Sequence, residues 1–348
     1  MFEDVQWTGA LSRRQVYHRP WSWGLAVFSL GLLGWVIWRA SLDQVWRSLH
    51  SADGGLIALG VPVVLAGLLL RAMRWRILLL PLGKPSFWAS CRSTLVGYLA
   101  NNLLPARAGD LLRAYVLHRQ DAISKSAILA TIVVERVADG FSLFLVLSCL
   151  LMVLPVPGWV LHIALGGAAV FIAAVLVLMT ARRNRQHIVN ASHALLSRLP
   201  KRWRSRGVSL AENFLVGLTS FRSSSDALIY SLMTIMVWST EILLFWLVMR
   251  AFDISLTLPA IILVVAAGSL STMIPSLPGY VGTYHFVVVN ILTSLGVLIG
   301  PATAFALGIH GLSWLTVNIV GSGCALQLGV TLGQSPTRIA IGRDNISR

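Results

Sequence analysis

The sequence predicts an all-α polytopic membrane protein with about six full transmembrane helices and two broken re-entrant helical hairpins, related as an inverted repeat. Three observations predict it. First, of 348 residues 56% are hydrophobic and 12% charged, and the mean hydropathy is +0.75, outside the range of ordinary soluble domains. Second, 28 Lys and Arg face 13 Asp and Glu, a net +15, and these cations fall in loops between apolar runs. That is the positive-inside distribution, and attraction to anionic headgroups is its by-product; it points to no nucleic-acid partner. Third, both halves contain an apolar run interrupted by proline and glycine, at 101–113 and at 275–283. The tryptophans agree, because Trp7, Trp21, Trp23, Trp38, Trp46, Trp75, Trp159 and Trp203 lie near the ends of apolar runs, where amphipathic rings prefer the headgroup region. Cys91, Cys149 and Cys324 are isolated in apolar sequence without metal-type spacing and read as packing residues.

Taken in order, residues 1–20 are polar and basic, and the first apolar run at 21–38 is about long enough to span. A cleaved signal peptide competes with this reading, but no small-residue cleavage site follows, so a retained helix with a cytoplasmic amino terminus is expected. The loop 39–53 balances Arg39 and Arg47 against Asp43 and Asp53, as on an outer side, and a second span follows over 54–75. Arg71 and Arg74 at its end are three apart on one face, directed inward or snorkelling to headgroups, and Arg76 is expected to snorkel. An apolar stretch at 86–104 enters from the cytoplasmic side, breaks at 101–113, and returns over 122–134. Glu135, Arg136 and Asp139 then lie on the cytoplasmic side, with spans over 137–154 and 159–181 around the Pro155–Gly158 turn. Arg182, Arg183, Arg185, Arg198, Lys201, Arg202, Arg204 and Arg206, with no acid among them, place the next loop inside. Both ends of 86–136 are then cytoplasmic, which a re-entrant hairpin with its tip at mid-membrane satisfies; two full crossings satisfy the same parity. Within 182–222, Ile188, Ala191 and Leu195, and later Leu210, Phe214 and Leu218, recur at helical spacing and predict basic interfacial helices.

The second half repeats the pattern in the opposite direction. A span over 227–249 carries Glu241 in its middle, 258–274 enters, 275–283 breaks, 286–299 leaves, and a last span at 301–328 precedes a basic tail expected inside. Leu104-Pro105 with Gly109 and Leu277-Pro278 with Gly282 share one proline-to-glycine spacing. The chain is therefore divided into a first repeat, 54–155, and a second, inverted repeat, 227–330, within a single membrane domain over 1–348.

Ionisable side chains at membrane depth are expensive and normally face a bundle interior or wet cavity. Arg107, Asp110 and Arg113 in the first break are thus a candidate site, the alternative being a polar cytoplasmic loop. Broken helices add termini suited to ions.

Arg71-Ala72-Met73-Arg74-Trp75, Asn102-Leu103-Leu104-Pro105-Ala106-Arg107-Ala108-Gly109-Asp110 with Arg113, Glu135-Arg136 with Asp139, and Pro278-Gly279-Tyr280-Val281-Gly282-Thr283 together resemble the lysylphosphatidylglycerol synthase transmembrane-region family, flippase-like integral membrane proteins. The resemblance covers most of the chain. It implies a bacterial inner-membrane protein that handles lipids, in some members translocating aminoacylated phosphatidylglycerol and in others linked to polyprenyl-phosphate sugars or hopanoids. The chain departs from the family pattern at His285, where an acid is usual, at Tyr280, where glycine is usual, and at Asp110, which replaces the more common Glu. The sequence stops at Arg348 soon after the last span, so no soluble aminoacyl-transfer domain is expected, nor lipid lysylation by this chain alone.

An anionic lipid headgroup crossing hydrocarbon calls for cations and helix termini around a cavity. The substrate-binding candidates are Arg71, Arg74, Asn101, Asn102, Pro105, Arg107, Gly109, Asp110 and Arg113 in the first repeat, and Ser276, Pro278, Gly279, Gly282, Thr283 and Tyr284 in the second. Arg107 is the leading phosphate ligand, since its planar fork offers bidentate hydrogen bonds. Glu135, Arg136, Asp139, Glu241 and His285 are candidates for charge balance or proton coupling. Each has a structural reading too: an ion-paired helix end for Glu135, Arg136 and Asp139, a buried arginine partner for Glu241, packing for His285 and His310, and close helix packing for the glycines. No nucleotide-binding motif occurs, and neither a cofactor nor a metal is expected. The leading function is lipid transport, without enzyme activity. The alternatives are a membrane enzyme acting on a polyprenyl-phosphate and a non-catalytic partner of a lipid-modifying enzyme.

Overall fold

The computed structural model describes residues 20–104, 107–151, 158–198, 200–218, 223–274 and 276–330. Every regular element among them is helical. In chain order these are α1 (Pro20–Arg39), α2 (Leu42–Ser51), α3 (Gly54–Leu79), α4 (Phe87–Leu103), α5 (Ala108–Asp121), α6 (Lys125–Leu151), α7 (Gly158–Arg183), α8 (Arg185–Leu195), α9 (Lys201–Gly217), α10 (Ser224–Ala251), α11 (Leu258–Ser271), α12 (Thr283–Ser294) and α13 (Ile299–Gln327). Among the described residues α3, α10 and α13 are long and apolar enough to cross a membrane. The count falls below the six spans expected. Charges in α6 keep it from counting as an apolar span despite its length, and α1 and α7 are described only in part as to side chains. The protein is multi-pass: α7, α10 and α13 leave Val170, Leu176, Ile235, Trp246, Ile319 and Leu326 exposed on their outer faces, an apolar surface that calls for lipid.

One boundary differs from the sequence expectation in a way that matters. The return arm of the first hairpin is α5, not residues 122–134, which instead begin the continuous helix α6 carrying Glu135, Arg136 and Asp139. Taken as a whole α5 is polar, yet it buries Gly109, Arg113, Ala114, Val116 and Leu117 along one face. The carboxylates of α6 do not end that helix because arginines from neighbouring helices meet them.

Helices α4 and α5 form an antiparallel hairpin. Gly97 lies against Arg113 and the Gly109 carbonyl, and Gln120 donates to Ser93 Oγ at 3.2 Å. The approach is backbone to backbone: a Cβ on Gly109 would sit 2.0 Å from the Gly97 carbonyl oxygen. At the tip, the Asn101 side-chain oxygen accepts from Gly109 N at 2.9 Å, and Arg107 takes the left-handed conformation, φ 54°, that reverses the chain.

The second hairpin, α11 and α12, is held differently. Its tip contains a 3-10 turn at Pro278–Tyr280, and α1 closes over it. Leu277 N donates to the buried Ser29 Oγ at 3.1 Å, and Gly282, at φ 93°, has space for no side chain because a Cβ would lie 1.9 Å from the Ser29 carbonyl oxygen. At 1.5 Å per residue the hairpin arms extend about 18 to 26 Å, short of a hydrocarbon core of about 30 Å. Around them, Phe245, Phe252 and Phe305 centre an apolar core shared by α10, α11, α12 and α13, while Trp75, Leu78, Leu117 and Ile128 join α3, α5 and α6.

Candidate functional site

A cavity of about 280 Å³ lies where the two halves meet. Helix α3 contributes Arg71; α4 contributes Tyr98, Asn101 and Asn102; the first break contributes Arg107; and α6 contributes Arg136 and Asp139. From the second half come Trp238, Thr240 and Glu241 of α10, Ser269 and Thr272 at the end of α11, Gly279 and Tyr280 of the second break, Tyr284 of α12, and His310, Ser313 and Trp314 of α13. The two breaks touch. The Arg107 guanidinium stands 5.7 Å from the Tyr280 ring centre, and a Cβ on Gly279 would meet Trp314 Nε1 at 3.1 Å and the Asn102 carbonyl at 3.5 Å.

From the cavity wall inward runs an ion network with a fully buried centre at Arg74, Arg113 and Glu135, assembled by helical spacing. Arg71 and Arg74, three apart on α3, divide their duties: Arg71 pairs with Glu241 of α10, while Arg74 turns to α6. There Glu135 and Asp139, four apart on one face, receive it. Arg74 Nη1 and Nη2 reach the two Asp139 carboxylate oxygens at 2.5 and 2.9 Å, and Nη2 lies 3.3 Å from Glu135 Oε1. The other Glu135 oxygen accepts from Arg113 of α5 at 2.9 Å. Arg113 in turn lies 3.7 Å above the Trp75 ring, whose indole N–H donates to Thr131 at 3.0 Å. Arg136 sits 3.3 Å from Asp110 and 4.0 Å from Asp139. Glu135 therefore bridges two arginines from different helices with all three side chains inaccessible. Removing one member of such a group strands its partner's charge and costs about 3–5 kcal/mol.

Unpaired donors remain in the network, at Nε of Arg74 and at Nε and Nη2 of Arg113, and also at the cavity. Among the described residues no carboxylate lies within ion-pair distance of Arg107, and its Nε is buried without a hydrogen-bond partner, as is Nε1 of Trp238. Both atoms only donate. The free hydrogen-bonding capacity of Arg107 and Trp238 suits an acceptor-rich ligand.

The structure thus brings Arg71, Asn101, Asn102, Arg107, Gly279, Tyr284, Arg136, Asp139 and Glu241 to one cavity. Arg74, Arg113 and Glu135 are displaced from it into the network behind, where they are fully buried, so neither snorkelling for Arg74 nor a surface helix end for Glu135 describes them. Gly109, Asp110, Ser276, Pro278, Gly282 and Thr283 support the breaks without lining the cavity: Asp110 faces Arg136, and the Thr283 hydroxyl donates to the Tyr280 carbonyl at 3.3 Å. His285 is stacked on His310, ring centres 4.7 Å apart, and only His310 reaches the cavity. Pro105 lies outside the described residues. The polar and aromatic lining residues that sequence reasoning passed over are Tyr98, Trp238, Thr240, Ser269, Thr272, Ser313 and Trp314. The two tryptophans carried a signal, because they fall in mid-span rather than at an end, where an indole N–H needs a partner.

The sequence profile described as lysylphosphatidylglycerol synthase TM region matches residues 21–321. A UPF0104 membrane protein of Methanothermobacter thermautotrophicus is 25% identical over 85% of this chain and 90% of its own length. Another, from Pyrococcus horikoshii, is 21% identical over 78% of this chain and 87% of its own length. Glycosyltransferase AglD of Haloferax volcanii is 24% identical over 87% of this chain, which spans 53% of that protein. No solved structure matches.

Proposed function

The chain belongs to the lysylphosphatidylglycerol synthase transmembrane-region family, and from that premise we propose that it carries an anionic amphiphile, a phospholipid or a polyprenyl-phosphate-linked lipid, between membrane leaflets. The observation that carries this reading is Arg107: an arginine of the first break, facing the cavity and Tyr280 of the second, with no carboxylate beside it among the described residues. A phosphate arriving there meets a free guanidinium fork and the unpaired Trp238 N–H, with Asn101 and Asn102 as neutral donors. The two breaks then form one site, and an inverted repeat rocking around it would open that site to each leaflet in turn. In this reading both termini are cytoplasmic, on the side of the basic segment between α7 and α10, in the cytoplasmic membrane. The curated relatives named above are archaeal, so assignment to a bacterial inner membrane rests on the resemblance alone. A lipid-modifying enzyme is a natural partner for such a carrier.

A second reading, a membrane enzyme transferring a group to or from a polyprenyl-phosphate, is favoured by the similarity to glycosyltransferase AglD. Its base would have to leave an arginine first, since Asp110, Glu135, Asp139 and Glu241 each face one. The test is transbilayer movement of labelled phosphatidylglycerol, phosphatidic acid and polyprenyl phosphate in proteoliposomes, with native protein and with Arg107→Ala. Movement of one lipid class, lost on substitution, is expected. Folded native protein that moves none of them, yet chemically converts a polyprenyl phosphate, would establish the enzyme instead.

A further inference from the structure

We propose that Glu241 carries a proton in exchange for its arginine: an anionic headgroup arriving on Arg71 displaces the Glu241 carboxylate, which then takes up a proton. The proposal rests on the transport reading above and identifies how the loaded site keeps the net charge of the empty one.

The choice of Glu241 among the buried acids follows from their partners. Glu135 is held from two sides by Arg74 and Arg113 and has no exposed surface. Asp139 faces the cavity but is gripped through both oxygens by Arg74 and approached by Arg136. Asp110 lies outside the cavity lining, between Arg136 and Asn101. Glu241 differs from all three. Its single ion-pair partner among the described residues is Arg71, both residues line the cavity, and their side chains keep 27% and 15% of their surface accessible. Of the ion pairs in this region, Arg71 with Glu241 is the one a ligand can enter without disturbing the packed interior.

The surroundings decide what happens to the carboxylate. The titratable and charged groups lining the cavity with Glu241 are Arg71 from α3, Tyr98 from α4, Arg107 from the first break, Arg136 and Asp139 from α6, Tyr280 from the second break, Tyr284 from α12 and His310 from α13; the end of α11 contributes the hydroxyls of Ser269 and Thr272. Arg136 is itself occupied by Asp110 and Asp139, and the Arg71 guanidinium is further fixed 5.7 Å from the Trp238 ring centre. Arg107 also lines the cavity and has no carboxylate partner among the described residues; in the transport reading the phosphate spans Arg71 and Arg107 together, which leaves no free cation for the displaced Glu241. A carboxylate left unpaired at membrane depth is costly in its charged form, so it neutralises. The charges balance: one negative charge arrives between Arg71 and Arg107 and one proton arrives on Glu241, leaving the site with the same net charge empty and loaded. Movement of a singly charged headgroup through this site is then coupled to one proton in the same direction.

The experiment is calorimetric titration of the purified protein with water-soluble dihexanoyl phosphatidylglycerol and with a short-chain prenyl phosphate, each in two buffers of different ionisation enthalpy. The difference between buffers reads proton uptake on binding. Native protein and Glu241→Asp are expected to take up protons as the probe binds, and Glu241→Gln to lose that uptake. Binding by native protein without proton uptake would overturn the proposal and leave the transport reading standing. Uptake that persists in Glu241→Gln would likewise overturn it, moving the proton to His310 or Asp139. If native protein binds neither probe, the anion site itself fails and the proposal falls with it. Absence of uptake by the native protein overturns the proposal even if Glu241→Gln does not fold, and Glu241→Asp then serves as the second variant.

Discussion

The two breaks share a proline-to-glycine spacing but are built from different materials. The first carries charge: Arg107 at its tip, Asp110 and Arg113 just beyond, and behind them the Glu135 network that ties α5 to α6 and α3. The second carries none between Pro275 and Tyr284. It is shaped by backbone, with Gly279 pressed against Trp314 and Asn102, and Gly282 against Ser29 of α1. A charged tip needs a counter-charged scaffold to be stable at membrane depth, whereas a backbone-shaped tip needs only a close neighbour without side chains in between. The division suggests that the first break supplies electrostatic attraction and the second supplies fit.

That difference is most sharply tested where each break is anchored. Glu135→Ala leaves Arg74 and Arg113 facing an empty centre in a region with no accessible surface, and thermal unfolding in detergent should report a loss of about 3–5 kcal/mol. In the second break the equivalent weak point is steric. Gly282→Ala puts a methyl group on the Ser29 carbonyl and demands a left-handed backbone of a residue with a Cβ, which should cost about 3 kcal/mol by the same measurement. Unchanged stability in that variant would mean α1 is not fixed over the tip. Ser29→Ala is milder. It removes only the acceptor for Leu277 N, so a loss of about 1–2 kcal/mol is expected, accompanied by faster hydrogen exchange at Leu277 and no effect at the first break.

How much of this was legible in the sequence depended on what each signal measures. Hydropathy and proline-to-glycine spacing located both interruptions, because a broken helix announces itself locally. The same hydropathy misplaced the return arm of the first hairpin. Leu112, Val116 and Leu117 of α5 sit among Arg113, His118 and Arg119, so the segment averages out as polar although one face is buried. Conversely, Glu135, Arg136 and Asp139 looked like the end of a helix because charge normally stops a span. Their partners are Arg74, Arg113 and Asp110, far away along the chain, and only folding shows that the charges cancel. Arg71 and Arg74 illustrate the same limit. Their spacing of three put them on one face, but which of them met the cavity depended on whether Glu241 or Asp139 stood opposite.

Arg107 should give the smallest effect on stability. It is partly accessible, and among the described residues no carboxylate depends on it, so Arg107→Ala strands no buried partner and is expected to change unfolding by no more than about 0.5 kcal/mol. Its effect belongs on the ligand. Losing a charge-assisted fork to a phosphate is worth about 1.5–3 kcal/mol, on the order of tenfold to a hundredfold in affinity, measurable with the same soluble phosphatidylglycerol and prenyl phosphate probes. Arg107→Lys keeps the charge but not the planar fork, and should recover only part of that affinity. The comparison with the second break follows directly: Gly282→Ala should lower stability and binding together, whereas Arg107→Ala should lower binding alone. If Arg107→Ala destabilises the protein as much as Gly282→Ala does, the first break is another structural joint, and the division between attraction and fit does not hold.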